Sequence, residues 1–166
     1  MIIGNGDIAS VLTDKNDFIF FASGVSNSRE TRESEYQREK DLLMQQDKSK
    51  HLVYFSSLMA HKSDTRYFNH KKEMEKMVKD NFRHYAIIRI GNISWGKNPN
   101  TIINFLKNKM NKGEPIEIQD AYKNIIDKDG FIEIIDSIPN FSSEINIFGR
   151  KMSVQEIVDE IKSRKL

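Results

Sequence analysis

The chain has 166 residues, 38% hydrophobic and 30% charged, which suits one soluble domain with its own core and excludes a disordered chain. Net charge is only +2, with 26 basic and 24 acidic residues interleaved, so no basic footprint for nucleic acid is built. The absence of cysteine excludes a disulfide framework, a thiolate zinc site and a cysteine nucleophile.

The start "MIIGNGD" lacks the basic-then-apolar pattern of a signal peptide, and no apolar run reaches the roughly 20 residues that cross a bilayer. A cytoplasmic protein with no membrane partner is expected, and the residues single out no metal site. "MII" is a short strand ending at Gly4. Residues 4 to 9, "GNGDIA", have the pattern GxGxxA and lead into a helical "DIASVL". Glycines at 4 and 6 allow a tight turn and close approach to a pyrophosphate, small Ala9 lets helix pack on strand, and a helix N-terminus offers free N–H groups. Gly4, Asn5, Gly6, Asp7, Ile8 and Ala9 are thus a candidate phosphate loop, although a plain glycine-rich turn fits the same residues. "DFIFFASG" is the second strand. Ala22, Ser23 and Gly24 at its carboxyl end leave room for a flat cofactor, or make an ordinary turn.

"RETRESEYQREKDLLMQQDKS" forms a helix rich in i,i+4 charge pairs, and its run from Arg29 to Asp41 reads as a solvated face. "HLVYFSS" is the third strand, with Ser56 and Ser57 at its carboxyl end. "DTRYFNHKKEMEK" opens a helix at Tyr67 with Met74, Met77 and Val78 as apolar anchors. Tyr67 and Lys71, four apart, share a face of it. An ammonium beside a phenol of ordinary pKa about 10 favours the phenolate, and a serine hydroxyl can orient a substrate oxygen, so Ser57, Tyr67 and Lys71 form a workable acid/base set. The same Tyr–Lys spacing also arises in plain amphipathic helices. His70, about 100° round the helix from Lys71, is expected at the surface or an interface.

"HYAIIRIGN" is the fourth strand, and Trp95 in "SWG" is expected to pack rather than bind sugar. "NPNTIINFLKNKMNKG" is a helix that stops at Gly113. Residues 114 to 144 read as an irregular excursion, "EINIFG" as the last strand, and "SVQEIVDEIKSRK" as a helix opened by a Ser153–Glu156 capping box. Short apolar strands alternating with helices predict an α/β fold with a mainly parallel sheet, of about five strands in chain order with the first at an edge. One compact domain is expected, with a core over 1–113, the excursion over 114–144, and a last strand and helix over 145–166.

The segments "GNGDIA", "FFASG", "YFSS", "YFNHKKEME", "IIRIGNISWG" and "INIFGRKMSVQEIVDEI", in that order, resemble the extended short-chain dehydrogenase/reductases. Within them the chain is similar to the NAD-dependent epimerase/dehydratase branch that modifies nucleotide-linked sugars, across nearly its whole length. The resemblance implies a Rossmann-like three-layer sandwich with a vestigial substrate region, NAD or NADP as cofactor, and a nucleotide-sugar substrate. It makes Ser57 the catalytic hydroxyl, Tyr67 the acid/base, and Lys71 the lysine that holds the nicotinamide ribose. It places the loop from Gly4 to Ala9 at the pyrophosphate, Ala22, Ser23 and Gly24 beneath the cofactor, and Asn92 at the substrate diphosphate. "KNIIDKDGFIEII" aligns with the family's Arg-x-aliphatic-aliphatic-Asp-x-x-Asp segment, with Lys123 in place of the diphosphate-binding arginine and Gly130 in place of the last aspartate. A homodimer through the helices near 29–47 and 66–80 is also implied.

One departure bears on function. Between Leu12 and Asp17 stands only "TDKN", where the family has two more strands and a helix, so the residue that reads the adenosine ribose has no counterpart. Three readings stay open: an NAD(P)-dependent epimerase, dehydratase or reductase of nucleotide-sugars; a non-redox nucleotide or sugar-phosphate binding or scaffold protein derived from that family; and an assembly protein that uses its two charged helices as an interface.

Overall fold

The computed structural model describes residues 1–118 and 120–166. Its strands are β1 (Ile2–Ile3), β2 (Phe18–Phe21), β3 (His51–Ser57), β4 (Tyr85–Ile90), β5 (Asn92–Ile93), β6 (Tyr122–Ile126), β7 (Ser143–Ile147) and β8 (Arg150–Ser153). Its helices are α1 (Glu33–Met44), α2 (Arg66–Asn81), α3 (Ile102–Asn111), α4 (Lys128–Asp136) and α5 (Val154–Lys162). The main sheet is wholly parallel in the order β1-β2-β3-β4-β7, the chain order the sequence predicts.

Alternation along each strand splits the apolar residues between two faces. Phe20, Val53, Phe55, Ala86 and Ile88 pack beneath Phe131 and Ile135 of α4, with Ile8, Val11 and Leu12 joining them. Ile19, Phe21, Leu52, Tyr54 and Ile87 pack against Leu43 of α1 and Met74 and Val78 of α2. Two covered faces make the three-layer sandwich, and they explain why these strands read as nearly continuous apolar runs. Met74 and Val78 are fully buried and Met77 is partly so, as their helical spacing requires.

Local signals close the helices. Thr65 caps α2 by accepting from Phe68 N, and Ser153 and Glu156 form the capping box of α5. Gly113, at φ +68, takes the left-handed conformation just past α3 that a residue with a side chain adopts only at a cost.

Three expectations fail. "DIASVL" forms no α-helix, only a 3-10 turn at Ala9–Val11. The crossover from β1 to its parallel neighbour must return the length of the strand before Phe18, which leaves no room for a helix. Residues 114 to 144 are not irregular, because they hold β6, α4 and the start of β7. β6 pairs with β5 in parallel and with β8 antiparallel in a second sheet, whose core joins Ile125 and Met152 to α3 and α5 through Ile103, Leu106, Ile157 and Val158. The run from Arg29 to Asp41 is not all solvated either, since Tyr36 and Glu39 are buried. No helix among the described residues is long and apolar enough to cross a membrane.

Candidate active site

Parallel strands leave their carboxyl ends open on one edge of the sheet, where ligands enter such folds. Here that edge holds a cavity of about 970 Å³. The loop after β1 contributes Asn5, Gly6, Asp7 and Ile8 to its lining, and the end of β2 contributes Ala22, Ser23 and Gly24. Ser57 enters from the end of β3, Tyr67 and Lys71 from the first turns of α2, Asn92 from β5 and Lys123 from β6. Gly4 and Ala9 lie outside the lining. Gly4, at φ +120, presses on the end of β2, where an added Cβ would stand 2.5 Å from the Ala22 carbonyl oxygen; this glycine serves strand packing.

Lys71 is the most constrained of these residues. Only 3% exposed, it donates from Nζ to Tyr54 Oη at 3.1 Å and to Glu39 Oε1 at 3.3 Å, and it lies 5.7 Å from the Tyr67 ring centroid. Glu39, fully buried, also accepts from Tyr54 Oη at 2.8 Å and from Val25 N at 2.7 Å, and meets His70 Nε2 at 2.9 Å. Burial alone would lower the Lys71 ammonium, but the Glu39 carboxylate overcomes this and holds it above the ordinary lysine range. Burial would likewise raise Glu39; Lys71 and the hydrogen bonds from His70 and Val25 reverse that and hold the carboxyl far below the usual range. Burial and the Glu39 charge push the Tyr54 phenol well up, so it stays a neutral donor. The cluster is therefore a buried charged pair in which both ions are hydrogen-bonded, while His70 Nδ1 is without a partner among the described residues, and hydrogen bonding of the ions is what makes their burial tolerable.

His70 is thus no surface residue. It is fully buried, with its ring 4.7 Å from that of Tyr36, because it shares Glu39 with Lys71. Gly24 has a reason to be glycine: a Cβ there would stand 2.8 Å from both Glu39 Oε1 and Lys71 Nζ. Arg38, beside Glu39 in sequence, donates to the Ser23 carbonyl oxygen at 3.1 Å and so fixes the same turn.

The two serines divide their roles. Ser56 Oγ donates to buried Glu75 Oε1 at 2.6 Å, and Glu75 also takes the Arg89 fork at 2.9 and 2.6 Å and meets His61 Nε2 at 2.8 Å. Ser57 keeps its hydroxyl at the cavity wall, where it accepts from Met59 N at 3.2 Å.

Asp7 is already engaged. Its carboxylate accepts from Lys97 N at 2.9 Å and Asn98 N at 3.0 Å, and its carbonyl accepts from Trp95 Nε1 at 3.0 Å. Trp95 packs on Phe131 with ring centroids 5.1 Å apart, in keeping with a packing role. Asn92 and Lys123 also line an adjoining cavity of about 450 Å³, with Arg29, Lys109 and Phe105. Gly130 sits in the first turn of α4 and donates to its cap, Asp127 Oδ1, at 2.8 Å.

Reading the sequence missed Glu39, Tyr54 and Arg38. One signal was available: Tyr36, Glu39 and Leu43 stand three and four apart, so the buried stripe of α1 carries a glutamate that needs a cationic partner.

No family model matches the chain, and no curated protein matches it. Among solved structures it is similar to the Bordetella bronchiseptica enzyme WbmH in complex with NAD+, with TM-score 0.74 and 11% identity over 90% of this chain and 59% of that one. It is also similar to the UDP-N-acetylglucosamine 4-epimerase from Methanobrevibacter ruminantium M1 in complex with UDP-N-acetylmuramic acid, with TM-score 0.67 and 14% identity over 96% of this chain and 63% of that one. A third is the capsular polysaccharide assembling protein CapF from Staphylococcus aureus, with TM-score 0.60 and 21% identity over 91% of this chain and 46% of that one. The fold is Rossmann-like. The chain spans about half to three-fifths of the length of these proteins, and at such identities the likeness is one of fold.

Proposed function

We propose that this protein is an NAD(P)-dependent enzyme of nucleotide-linked sugars, acting by epimerisation, dehydration or keto-reduction with Ser57, Tyr67 and Lys71. The observation that carries this reading is their convergence: Ser57 from the end of β3 and Tyr67 and Lys71 from α2 line one cavity at the carboxyl edge of the sheet, beside the turns after β1 and β2. The fold neighbours add support, since one is in complex with NAD+ and another is a UDP-N-acetylglucosamine 4-epimerase.

The residues present fit the nicotinamide-ribose half of the cofactor. Ala22, Ser23 and Gly24 give a flat wall, and Lys71, held above the ordinary lysine range by Glu39, brings an ammonium donor to it. When bound, the nicotinamide supplies hydride transfer. Tyr67 moves the proton at the substrate oxygen, Ser57 Oγ donates to that oxygen and orients it, and Lys71 binds the ribose hydroxyls. Asn92 and Lys123, on the wall shared by the two cavities, take the substrate diphosphate. Lys123 does so as a point charge without the bidentate fork of an arginine. A homodimer through the helices near 29–47 and 66–80 belongs to the same reading.

Turnover of a panel of UDP- and dTDP-sugars with NAD, NADH, NADP and NADPH, followed by NMR of the sugar, tests it. Activity falls by about 10²–10⁴ in Tyr67→Phe while the circular dichroism of the fold is unchanged. If calorimetry gave no heat with any of the four cofactors at millimolar concentration, the reading would fail. A second reading, a non-redox nucleotide or sugar-phosphate binding or scaffold protein, is favoured by the four residues between Leu12 and Asp17, which leave no counterpart to the residue that reads the adenosine ribose; turnover lost in Tyr67→Phe would sink that one.

A further inference from the structure

Resting on the cofactor reading just given, we infer that the cofactor end of this cavity is a mononucleotide site: it holds the nicotinamide nucleotide half, and the adenosine half of a dinucleotide finds no surface. In doubly wound sheets a dinucleotide spans the crevice where the strand order reverses, one half on each side. Here the order β1-β2-β3-β4-β7 runs in one direction with β1 at the edge. Among the described residues no strand lies beyond β1, so there is no reversal for the ligand to span.

The loop after β1 points the same way. A pyrophosphate in such folds rests on the free N–H groups and dipole of a helix, but only the Ala9–Val11 turn follows Gly6.

The third observation is the clasp on Asp7. With its carboxylate on Lys97 N and Asn98 N and its carbonyl on Trp95 Nε1, the loop is fastened to the segment after β5. Gly96 is also packed on Asp7, at φ +94 with no room for a Cβ. A negative side chain anchored in the phosphate loop is a poor neighbour for a second phosphate. The opposite wall presents Ala22, Ser23, Gly24, Ser57, Tyr67 and Lys71 to the cavity. The imbalance assigns the cavity to one nucleotide.

Titration of the full chain with NADH, NADPH and reduced nicotinamide mononucleotide tests this, read by energy transfer from Trp95, the single tryptophan, to the dihydronicotinamide. The expected result is three dissociation constants within about tenfold of one another, a difference of about 1.4 kcal/mol at most, with no displacement by AMP. Either NADH or NADPH binding more than about tenfold tighter than the mononucleotide, or displacement by AMP, would overturn the inference while leaving the proposed enzyme intact. Binding of none of the three would overturn both.

Discussion

Lys71 Nζ is paired with Glu39 Oε1 at 3.3 Å in the interior, with the two residues 3% and 0% exposed. The pair ties α1 to α2, and through Tyr54 and Val25 it ties both to β3 and to the turn after β2. Removing one member leaves a buried charge with no counter-ion. Glu39→Ala is therefore expected to cost about 3–5 kcal/mol, and Lys71→Met a similar amount. The double variant Glu39→Ala with Lys71→Met is expected to lose less than the sum, with a coupling of at least about 1 kcal/mol. Urea unfolding of the four proteins measures it, and strict additivity would show that the two charges do not sustain each other.

Gly24 and Gly6 line the same cavity and should respond oppositely to a methyl group. At Gly24 the added Cβ meets the Lys71–Glu39 pair at 2.8 Å, so Gly24→Ala is expected to destabilise by about 1–3 kcal/mol. At Gly6 it meets nothing within 4 Å, so Gly6→Ala should stay within about 0.5 kcal/mol of wild type while weakening ligand binding. Thermal unfolding separates the two, and equal losses would contradict the assignment.

These residues also mark where the sequence was legible. The three central strands β2, β3 and β4 were readable because burial on both faces leaves long apolar runs such as "FIFF" and "HLVYF", while the edge strands β1 and β7 showed only as short isoleucine-bearing segments. β6 and β8 were not, because "YKNII" and "RKMS" bury only Ile125, Ile126 and Met152 and are held by pairing with each other. The Tyr67–Lys71 relation was legible from helical spacing. The Glu39 partner was hidden in a run of charges, and burial there depends on where α2 and β3 lie, which no local pattern states. The Ala9–Val11 turn was overread as a helix because local propensity carries no information about the length of the crossover.

Stability near neutral pH should carry the signature of His51. It is 6% exposed and stacked on Phe18 at 4.7 Å, and among the described residues neither ring nitrogen has a partner within hydrogen-bond geometry, although the nearby Asn140 backbone opposes part of the effect of burial. Burial pushes its imidazole below the ordinary 6.5. The unfolded chain then binds a proton that the folded chain refuses, so this stability is complete above about pH 6.5 and declines as the pH falls towards the folded value. The lowered carboxyls of Glu39 and Glu75 act in the same direction but only below their ordinary 4.5, a separate window. Melting temperatures between about pH 5 and 8 should rise with pH in wild type and flatten in His51→Phe. An unchanged slope in the variant would assign the effect elsewhere.

The proposed enzyme requires Ser57, Tyr67 and Lys71 to act as one site at the carboxyl edge of the sheet. A crystal structure of the chain with bound reduced nicotinamide mononucleotide tests it most directly. The nicotinamide end is expected in the cavity between the Ala22–Gly24 turn and Tyr67, with the ribose reached by Lys71 while Glu39 keeps its hold on the lysine. Ligand bound away from this cavity, with Tyr67 and Ser57 untouched, would contradict it.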